Sequence, residues 1–235
     1  VNTFLKAGDF GQLSIMHMHL GESLQVHLFG SSHGPFVGAT LTGMPKGILR
    51  HDDVIQEAMT MRRPGGTYSS KRNEVDDVLW LSGFENGITT GQVIECRIMN
   101  NDVRSKDYSF LPDHPRPGHQ DMVMMKRTKG EADLRGGGTS SARMTAPLVA
   151  LAALIKPWLG LKGVNVEAHV GAIGTIEAML MSESPPRWAN ETCKELRCRD
   201  PDAALKMAEL ITLSRKQRDS IGSRVDLCLN GLPLG

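Results

Sequence analysis

Apolar and polar residues follow two kinds of period along the chain, and together they predict a mixture of strands and helices. Alternation, or short runs of β-branched and apolar residues, predicts strands over residues 24–29, 37–42, 78–81, 92–99, 164–170 and 224–229. Apolar residues at helical spacing predict helices over residues 52–61, 141–158 and 202–216. The second of these helices is rich in alanine and leucine, so it is expected to be buried. Because strands and helices do not alternate strictly, the pattern predicts an α+β fold.

Two stretches of the chain share one pattern. Residues 37–48 (VGATLTGMPKGI) and 224–235 (RVDLCLNGLPLG) each read as an alternating strand followed by Gly-apolar-Pro-x-Gly. One explanation is a chance match of a short pattern, and the other is an internal duplication. A predicted helix follows the first copy, whereas the sequence stops at Gly235 in the second. We favour a duplication whose second half is cut short, which predicts a fold that is incomplete at its C-terminus.

Composition and charge narrow the class of protein. The 235 residues are 40% hydrophobic and 23% charged, which is ordinary for a soluble globular protein. The formal net charge of +1 gives no basic field of the kind that nucleic-acid binders use. We expect no membrane span, because no stretch approaches the roughly 20 apolar residues that one needs. Four cysteines without a C-x-x-C pair predict reduced thiols in a cytoplasmic protein and no metal site.

The first 17 residues fit no targeting signal. They lack arginine and a continuous apolar run, so neither a transit peptide nor a secretory signal is predicted. Met18 reads as a natural start. Residues 1–17 are therefore expected to be a non-native or disordered extension, and residues 18–235 to be the folded part.

The segment Gly30-Ser31-Ser32-His33-Gly34 fits G-x-S-x-G, the pattern that presents a nucleophilic serine. That motif needs a helix directly after the serine, and here a predicted strand follows instead. Ser32 is therefore not expected to be a nucleophile. His33 lies in a small-residue loop where a ligand can approach the backbone closely, and imidazole exchanges protons near neutral pH. The chemistry of this loop is assigned to His33.

Two further loops combine glycine with charged side chains. In residues 113–121 (DHPRPGHQD), two prolines stiffen the backbone around Arg116, and Gly118 frees it just before His119. Residues 134–143 (LRGGGTSSAR) place glycines and hydroxyls before a predicted helix, an arrangement that binds anions. Further arginines occur in residues 62–66 (RRPGG) and 100–108 (NNDVRSKDY). Because arginine binds carboxylates and phosphates bidentately, these loops predict a small polyanionic substrate.

Taken in order, these motifs resemble those of the chorismate synthase family. The matching segments are residues 29–34 (FGSSHG), 62–65 (RRPG), 89–91 (TTG), 100–108, 114–121, 135–143, 219–222 (DSIG) and 231–235 (GLPLG). Ser31 stands where many members carry glutamate, and its role here is left open. The resemblance implies an α+β sandwich of sheets and helices with an internal pseudo-repeat. It also implies that residues 18–235 are the N-terminal two-thirds of one domain, because the family continues beyond the position of Gly235.

The resemblance further implies a reaction. Family members are lyases of the shikimate pathway to aromatic amino acids. They convert 5-enolpyruvylshikimate 3-phosphate (EPSP) into chorismate by anti-1,4 elimination of phosphate and a ring proton. Reduced FMN is required although no net redox change occurs. Homotetramers are usual and NADP is associated with the activity, and an external flavin reductase remains a candidate partner. A truncated chain that only binds anionic ligands, or that assembles with intact subunits, is the alternative.

The family's site residues carry over onto matching positions of this chain. His119 is the implied acid that protonates the departing phosphate, and His33 is the implied partner of the reduced flavin. The substrate's phosphate and carboxylates are assigned to four arginines: Arg62, Arg63, Arg116 and Arg143. Flavin or substrate contacts are assigned to three serines: Ser32, Ser140 and Ser141. No metal is implied.

Overall fold

The computed structural model describes residues 18–63, 67, 76–101 and 105–233. It divides into two compact units, one of residues 1–63 and 73–155 and the other of residues 64–72 and 156–235. Residues 1–17 and 64–66, to which an extension and a helix-ending turn were assigned, lie outside the described residues. The expected mixture of helices and strands is confirmed, and the strands form antiparallel sheets, so the fold is α+β.

An antiparallel sheet forms the first unit's framework. Its strands are β1 (Met18–Leu20), β2 (Gln25–Gly30), β3 (Phe36–Thr42), β4 (Val78–Ser82) and β7 (Ile94–Met99), in the order β1-β2-β3-β7-β4. Two short strands, β5 (Phe84–Glu85) and β6 (Ile88–Thr89), form a separate hairpin. The predicted alternation is confirmed on the central pair, where the apolar side chains of β3 face those of β7 and are fully buried. These pairs are Val37 with Ile98, Ala39 with Cys96, and Leu41 with Ile94.

The turn between β2 and β3 holds the G-x-S-x-G segment. β3 begins at Phe36, so Ser32 is followed by a strand and not by a helix. Because a strand follows it, Ser32 does not lie on a nucleophile elbow, as the sequence predicts.

Three helices adjoin the other site segments. α1 (Asp52–Arg62) matches the helix predicted over residues 52–61, and α2 (Asp121–Arg127) is a short helix that the periodicity did not predict. The helix predicted from residue 141 starts later than expected. Ala142–Met144 is a 3-10 turn, and α3 itself spans Thr145–Leu161. Its N-terminal part packs in the core, whereas its last residue is largely exposed.

The apolar character of α3 corrects one expectation. The segment Ala142–Leu161 is long and apolar enough to cross a membrane by length and composition, although no such segment was expected. Core helices of soluble proteins have the same property.

The second unit pairs a smaller sheet with two helices. β8 (Asn165–Ile173), β9 (Ile176–Glu177) and β10 (Ser223–Asn230) form an antiparallel sheet in the order β10-β8-β9. α4 (Glu191–Leu196) and α5 (Pro201–Gln217) contribute most of its core. Asp200 caps α5, because its Oδ1 accepts hydrogen bonds of 3.0 Å from the backbone N–H groups of Asp202 and Ala203. This cap explains why the helix begins just ahead of the predicted residue 202.

The burial of α3 yields a stability prediction. Leu151 is fully buried, whereas Leu161 on the same helix is 84% exposed. Replacing Leu151 with alanine is expected to cost about 2–5 kcal/mol of unfolding free energy, because it opens a cavity in the core. The matched change Leu161→Ala should cost less than about 0.5 kcal/mol. Urea denaturation followed by circular dichroism measures both, and equal losses would contradict this packing.

Candidate functional site

One buried carboxylate organises the loop at residues 113–121. Asp121 is 1% exposed and accepts three hydrogen bonds from Arg116: from Nε (2.8 Å), from Nη2 (2.7 Å) and from the backbone N–H (3.0 Å). It also lies 2.7 Å from Nδ1 of His119. The Arg116 hydrogen bonds, which outweigh the effect of burial, hold the pKa of Asp121 far below its usual range. Asp121 therefore stays ionised and holds Arg116 and His119 together.

The proline and glycine residues of this loop make that arrangement possible. Gly118 has a φ of +69°, a left-handed conformation that glycine adopts without strain. This bend lets the N–H of His119 donate to the carbonyl of Arg116 at 3.2 Å, which closes a tight turn. The predicted role of Gly118 is confirmed.

The glycine-rich loop after Leu134 lies against both histidines. The backbone at Gly136 and Gly137 has positive φ values of 58° and 89°. A Cβ atom on Gly136 would lie 2.1 Å from Cε1 of His33, and a Cβ atom on Gly137 would lie 3.9 Å from Cε1 of His119. The two rings therefore flank the same short stretch of backbone, although the residues are far apart in sequence.

His33 is held by several neighbours in this arrangement. Its ring is nearly buried, and Nδ1 lies 3.2 Å from Oγ of Ser32. Ser32 in turn lies 3.3 Å from the carbonyls of Arg135 and Gly136, which joins the turn to the glycine-rich loop. The ring of Tyr108 packs edge-on against His33 at a centroid distance of 4.8 Å. The guanidinium of Arg116 lies over the same tyrosine ring at 5.4 Å.

Asn100 sets the shape of the turn that carries His33. Its Nδ2 donates to the carbonyls of Ser31 at 3.0 Å and of Gly34 at 2.8 Å. Its Oδ1 accepts a 3.0 Å hydrogen bond from Nε of Arg143. Asn100 thus connects the His33 turn to the 3-10 turn that precedes α3.

A second buried carboxylate, Asp76, joins two of the predicted arginines. Its Oδ2 accepts a 2.6 Å hydrogen bond from Nη1 of Arg62, and its Oδ1 pairs with Nη1 of Arg143. Arg143 is 5% exposed at its side chain and also donates to the carbonyl of Met99 at 3.1 Å. Asp76 thus holds the guanidinium groups of Arg62 and Arg143 beside each other.

The other predicted residues differ in exposure and in the contacts that they make. Ser140 is exposed, and Oγ of Ser141 accepts a 3.3 Å hydrogen bond from the backbone N–H of Arg143, which caps the 3-10 turn. Arg63 is half-buried directly after α1. The side chain of Arg143 is 5% exposed, whereas those of Arg116 and His119 are 25% and 35% exposed. Arg116 and His119 are therefore more accessible to a ligand than Arg143.

Four residues that join the site were not assigned a role from the sequence: Asp76, Asn100, Tyr108 and Asp121. Asn100, Tyr108 and Asp121 lie inside segments that were already recognised as motifs, so those segments carried the signal. No sequence signal marked Asp76, because a single aspartate before a predicted strand is common on protein surfaces.

The sequence model of chorismate synthase matches residues 24–235. The chain belongs to the chorismate synthase family. The chorismate synthase of Aeropyrum pernix is 42% identical over 217 residues, a match that covers 92% of this chain and 57% of the relative. That of Burkholderia mallei is 37% identical over 218 residues and is covered to 58%. This member of the family therefore spans less than two-thirds of the relatives that it matches.

A solved structure supports the chorismate synthase fold. A crystal structure of a chorismate synthase aligns with a TM-score of 0.65 and 24% sequence identity, covering 90% of this chain and 59% of that one. At this identity the likeness concerns the fold alone.

The close approach of Gly136 to His33 yields a prediction with a matched control. The backbone is left-handed at both Gly136 and Gly118. An alanine at either position must adopt this conformation, which costs about 1–2 kcal/mol. Only Gly136→Ala also brings a methyl group against the His33 ring, because nothing lies within 4 Å of a Cβ at Gly118. Gly136→Ala should lower the melting temperature more than Gly118→Ala and shift the ring resonances of His33. Equal melting temperatures with an unshifted His33 would show that the loop does not touch this ring.

Proposed function

We propose that this member of the chorismate synthase family is a lyase that eliminates phosphate and a ring proton from EPSP to give chorismate. One observation carries the proposal: His33 and His119 flank Gly136 and Gly137, and a guanidinium group lies beside them. Two proton-exchanging rings next to a cationic anchor suit a substrate that loses a phosphate group. Family membership supports the same reaction.

Arg116 is the best-placed anchor for an anionic group. Its Nε and Nη2 donate to Asp121, and Nη2 also donates to the carbonyl of Leu134 at 3.0 Å. No hydrogen bond of Nη1 occurs among the residues that the structure describes, and the side chain is 25% exposed. Nη1 would bind a phosphate or carboxylate oxygen of the substrate.

His119 would supply the proton to the departing phosphate. With Nδ1 held on Asp121, Nε2 is the nitrogen left to deliver a proton to a phosphate oxygen. General acid catalysis of this kind is worth about 10²–10⁴ in rate. Because phosphate leaves more easily as the protonated form, this transfer lowers the barrier to C–O cleavage.

A reduced FMN cofactor beside His33 is proposed on family grounds. The glycine-rich loop presents bare backbone there, and the His33 ring occupies the space that a side chain at Gly136 would need. Bound reduced FMN would supply electron density that assists the loss of phosphate and is recovered when the C–H bond breaks. His33 would hold or release a proton at its ring beside the flavin, and the exposed hydroxyl of Ser140 would add a polar contact.

The internal pseudo-repeat is also part of this proposal. β3 and β10 are each followed directly by a glycine with positive φ, Gly43 at 84° and Gly231 at 73°. A Cβ on either glycine would lie about as close to a backbone carbonyl two residues before the paired strand: 1.9 Å from Ser23 and 2.0 Å from Gly163. The same backbone feature directly after the strand of both repeated sequence patterns supports a duplication.

Assembly and location are further parts of the proposal. β10 exposes a row of apolar side chains at Val225, Leu227 and Leu229. Such a row favours burial against more protein, in keeping with a homotetramer. A cytoplasmic location, a link to NADP and an external flavin reductase are proposed on family grounds alone.

A second function is retained because the chain spans only part of its relatives' length. It would bind anionic ligands without turnover, or assemble with intact subunits. Arg116 would support the binding of an anion in either case.

An anaerobic assay separates the two functions. This chain is mixed with EPSP and reduced FMN, and phosphate and chorismate are measured. We expect both products in equal amounts. EPSP binding without product would establish the second function, and neither binding nor product would contradict both.

The role of His119 is tested in the same assay. His119→Ala should lower kcat by about 10²–10⁴. His114→Ala is the matched control, because His114 is an exposed histidine of the same loop. A His119→Ala variant that turns over EPSP like the wild type would remove the proposed acid.

A further inference from the structure

Asp121 is placed to do more than fill a buried position. It contacts the side chains of both Arg116 and His119, which the proposed function assigns to substrate binding and proton delivery. We propose that Asp121 is a positioning residue that fixes which nitrogen of His119 faces the reaction and which edge of Arg116 faces the substrate. The expected changes in kcat and KM rest on the proposed function, whereas the expected protonated nitrogen of the His119 ring does not.

The first step of the argument concerns the His119 ring. An ionised carboxylate can only accept hydrogen bonds. Arg116 keeps the pKa of Asp121 well below its usual range, so the carboxylate is ionised near neutral pH. At 2.7 Å from Oδ1, Nδ1 of His119 must therefore carry the hydrogen. Nε2 is then the atom that exchanges protons, and it lies 4.0 Å from a Cβ built on Gly137.

The second step concerns the guanidinium of Arg116. Asp121 accepts from Nε and Nη2, which fixes the plane of the group over the ring of Tyr108. Nη1 is the guanidinium nitrogen that remains to bind a ligand. Without the carboxylate, the guanidinium could rotate and bind an anion through any edge. The same oxygen, Oδ1, serves Arg116 and His119, so displacement of one affects the other.

A purely structural role is the competing explanation. Asp121 opens α2, whose preceding residue Gln120 makes no side-chain cap, so its charge also favours the helix N-terminus. A structural role predicts lower stability in a variant but no specific change at the His119 ring or in the ratio of kcat to KM.

The first test needs no activity. Long-range ¹H–¹⁵N spectra of this chain at alkaline pH distinguish the two neutral forms of each histidine ring. We expect the Nδ1–H form for His119 in the wild type and a mixture of both forms in Asp121→Asn. Asp113→Asn is the matched control, because Asp113 is an exposed carboxylate of the same loop. A wild-type His119 in the Nε2–H form would overturn the proposal, even if the variant did not fold.

The second test uses the EPSP assay. Asp121→Asn should lower kcat by about 10²-fold, since a misplaced catalytic group loses that much, and should also raise KM. Asp121→Glu keeps the charge and should recover part of kcat. Arg116→Lys should act mainly on KM. A loss of activity that matched the loss of folded protein alone would identify a structural role and contradict the proposal.

The two tests separate this inference from the proposed function. If His119→Ala left turnover unchanged, the proposed function of His119 would fail while the ring-form result stood. If His119→Ala were inactive and Asp121→Asn changed neither the ring form nor kcat, the inference alone would fail.

Discussion

A carboxylate that is 1% exposed must be surrounded by donors, and Asp121 and Asp76 meet this requirement by each holding two basic side chains. Asp121 pairs with Arg116 and His119. Asp76 pairs with Arg62 and Arg143. Removing either partner of a buried ion pair leaves an uncompensated charge, so these groups are strongly tied to one arrangement. The positions of His119 and of three candidate arginines follow from the burial of these two carboxylates.

The second constraint is steric and comes from the glycine-rich loop. Gly136 and Gly137 bring bare backbone against His33 and His119, and a side chain at Gly136 would overlap the His33 ring. The loop therefore defines the space between the two histidines. Hydrogen bonds from Ser32 and Asn100 keep His33 against it. Charge fixes one histidine, and backbone packing fixes the other.

Much of the fold could be predicted, because its signals are local. The alternation of Val37, Ala39 and Leu41 identified β3, and helical spacing identified α1 and α5. Shorter elements such as α2 and α4 carry too few residues for a period to emerge, so they were not predicted. The late start of α3 depends on the glycine-rich turn before it, which a helical pattern does not register.

The candidate site was predicted in its residue types but not in its contacts. The motifs contained His33, Arg116 and His119 as separate loops. Their association depends on pairings across long stretches of sequence, such as that of Ser32 with Gly136, which no local pattern contains. Arg143 was assigned to the substrate, yet its guanidinium is held within the protein. Only three-dimensional packing decides whether an arginine pairs with a carboxylate of the protein or with a substrate.

The central claim is that His33 and His119 belong to one site. Titrating this chain with EPSP in the presence of FMN, while following the ring resonances of all its histidines, tests it most directly. The resonances of His33 and His119 should shift together and saturate at the same EPSP concentration, while those of His51 and His114 stay unchanged. Shifts at only one of the two rings, or separate saturation, would contradict a shared site.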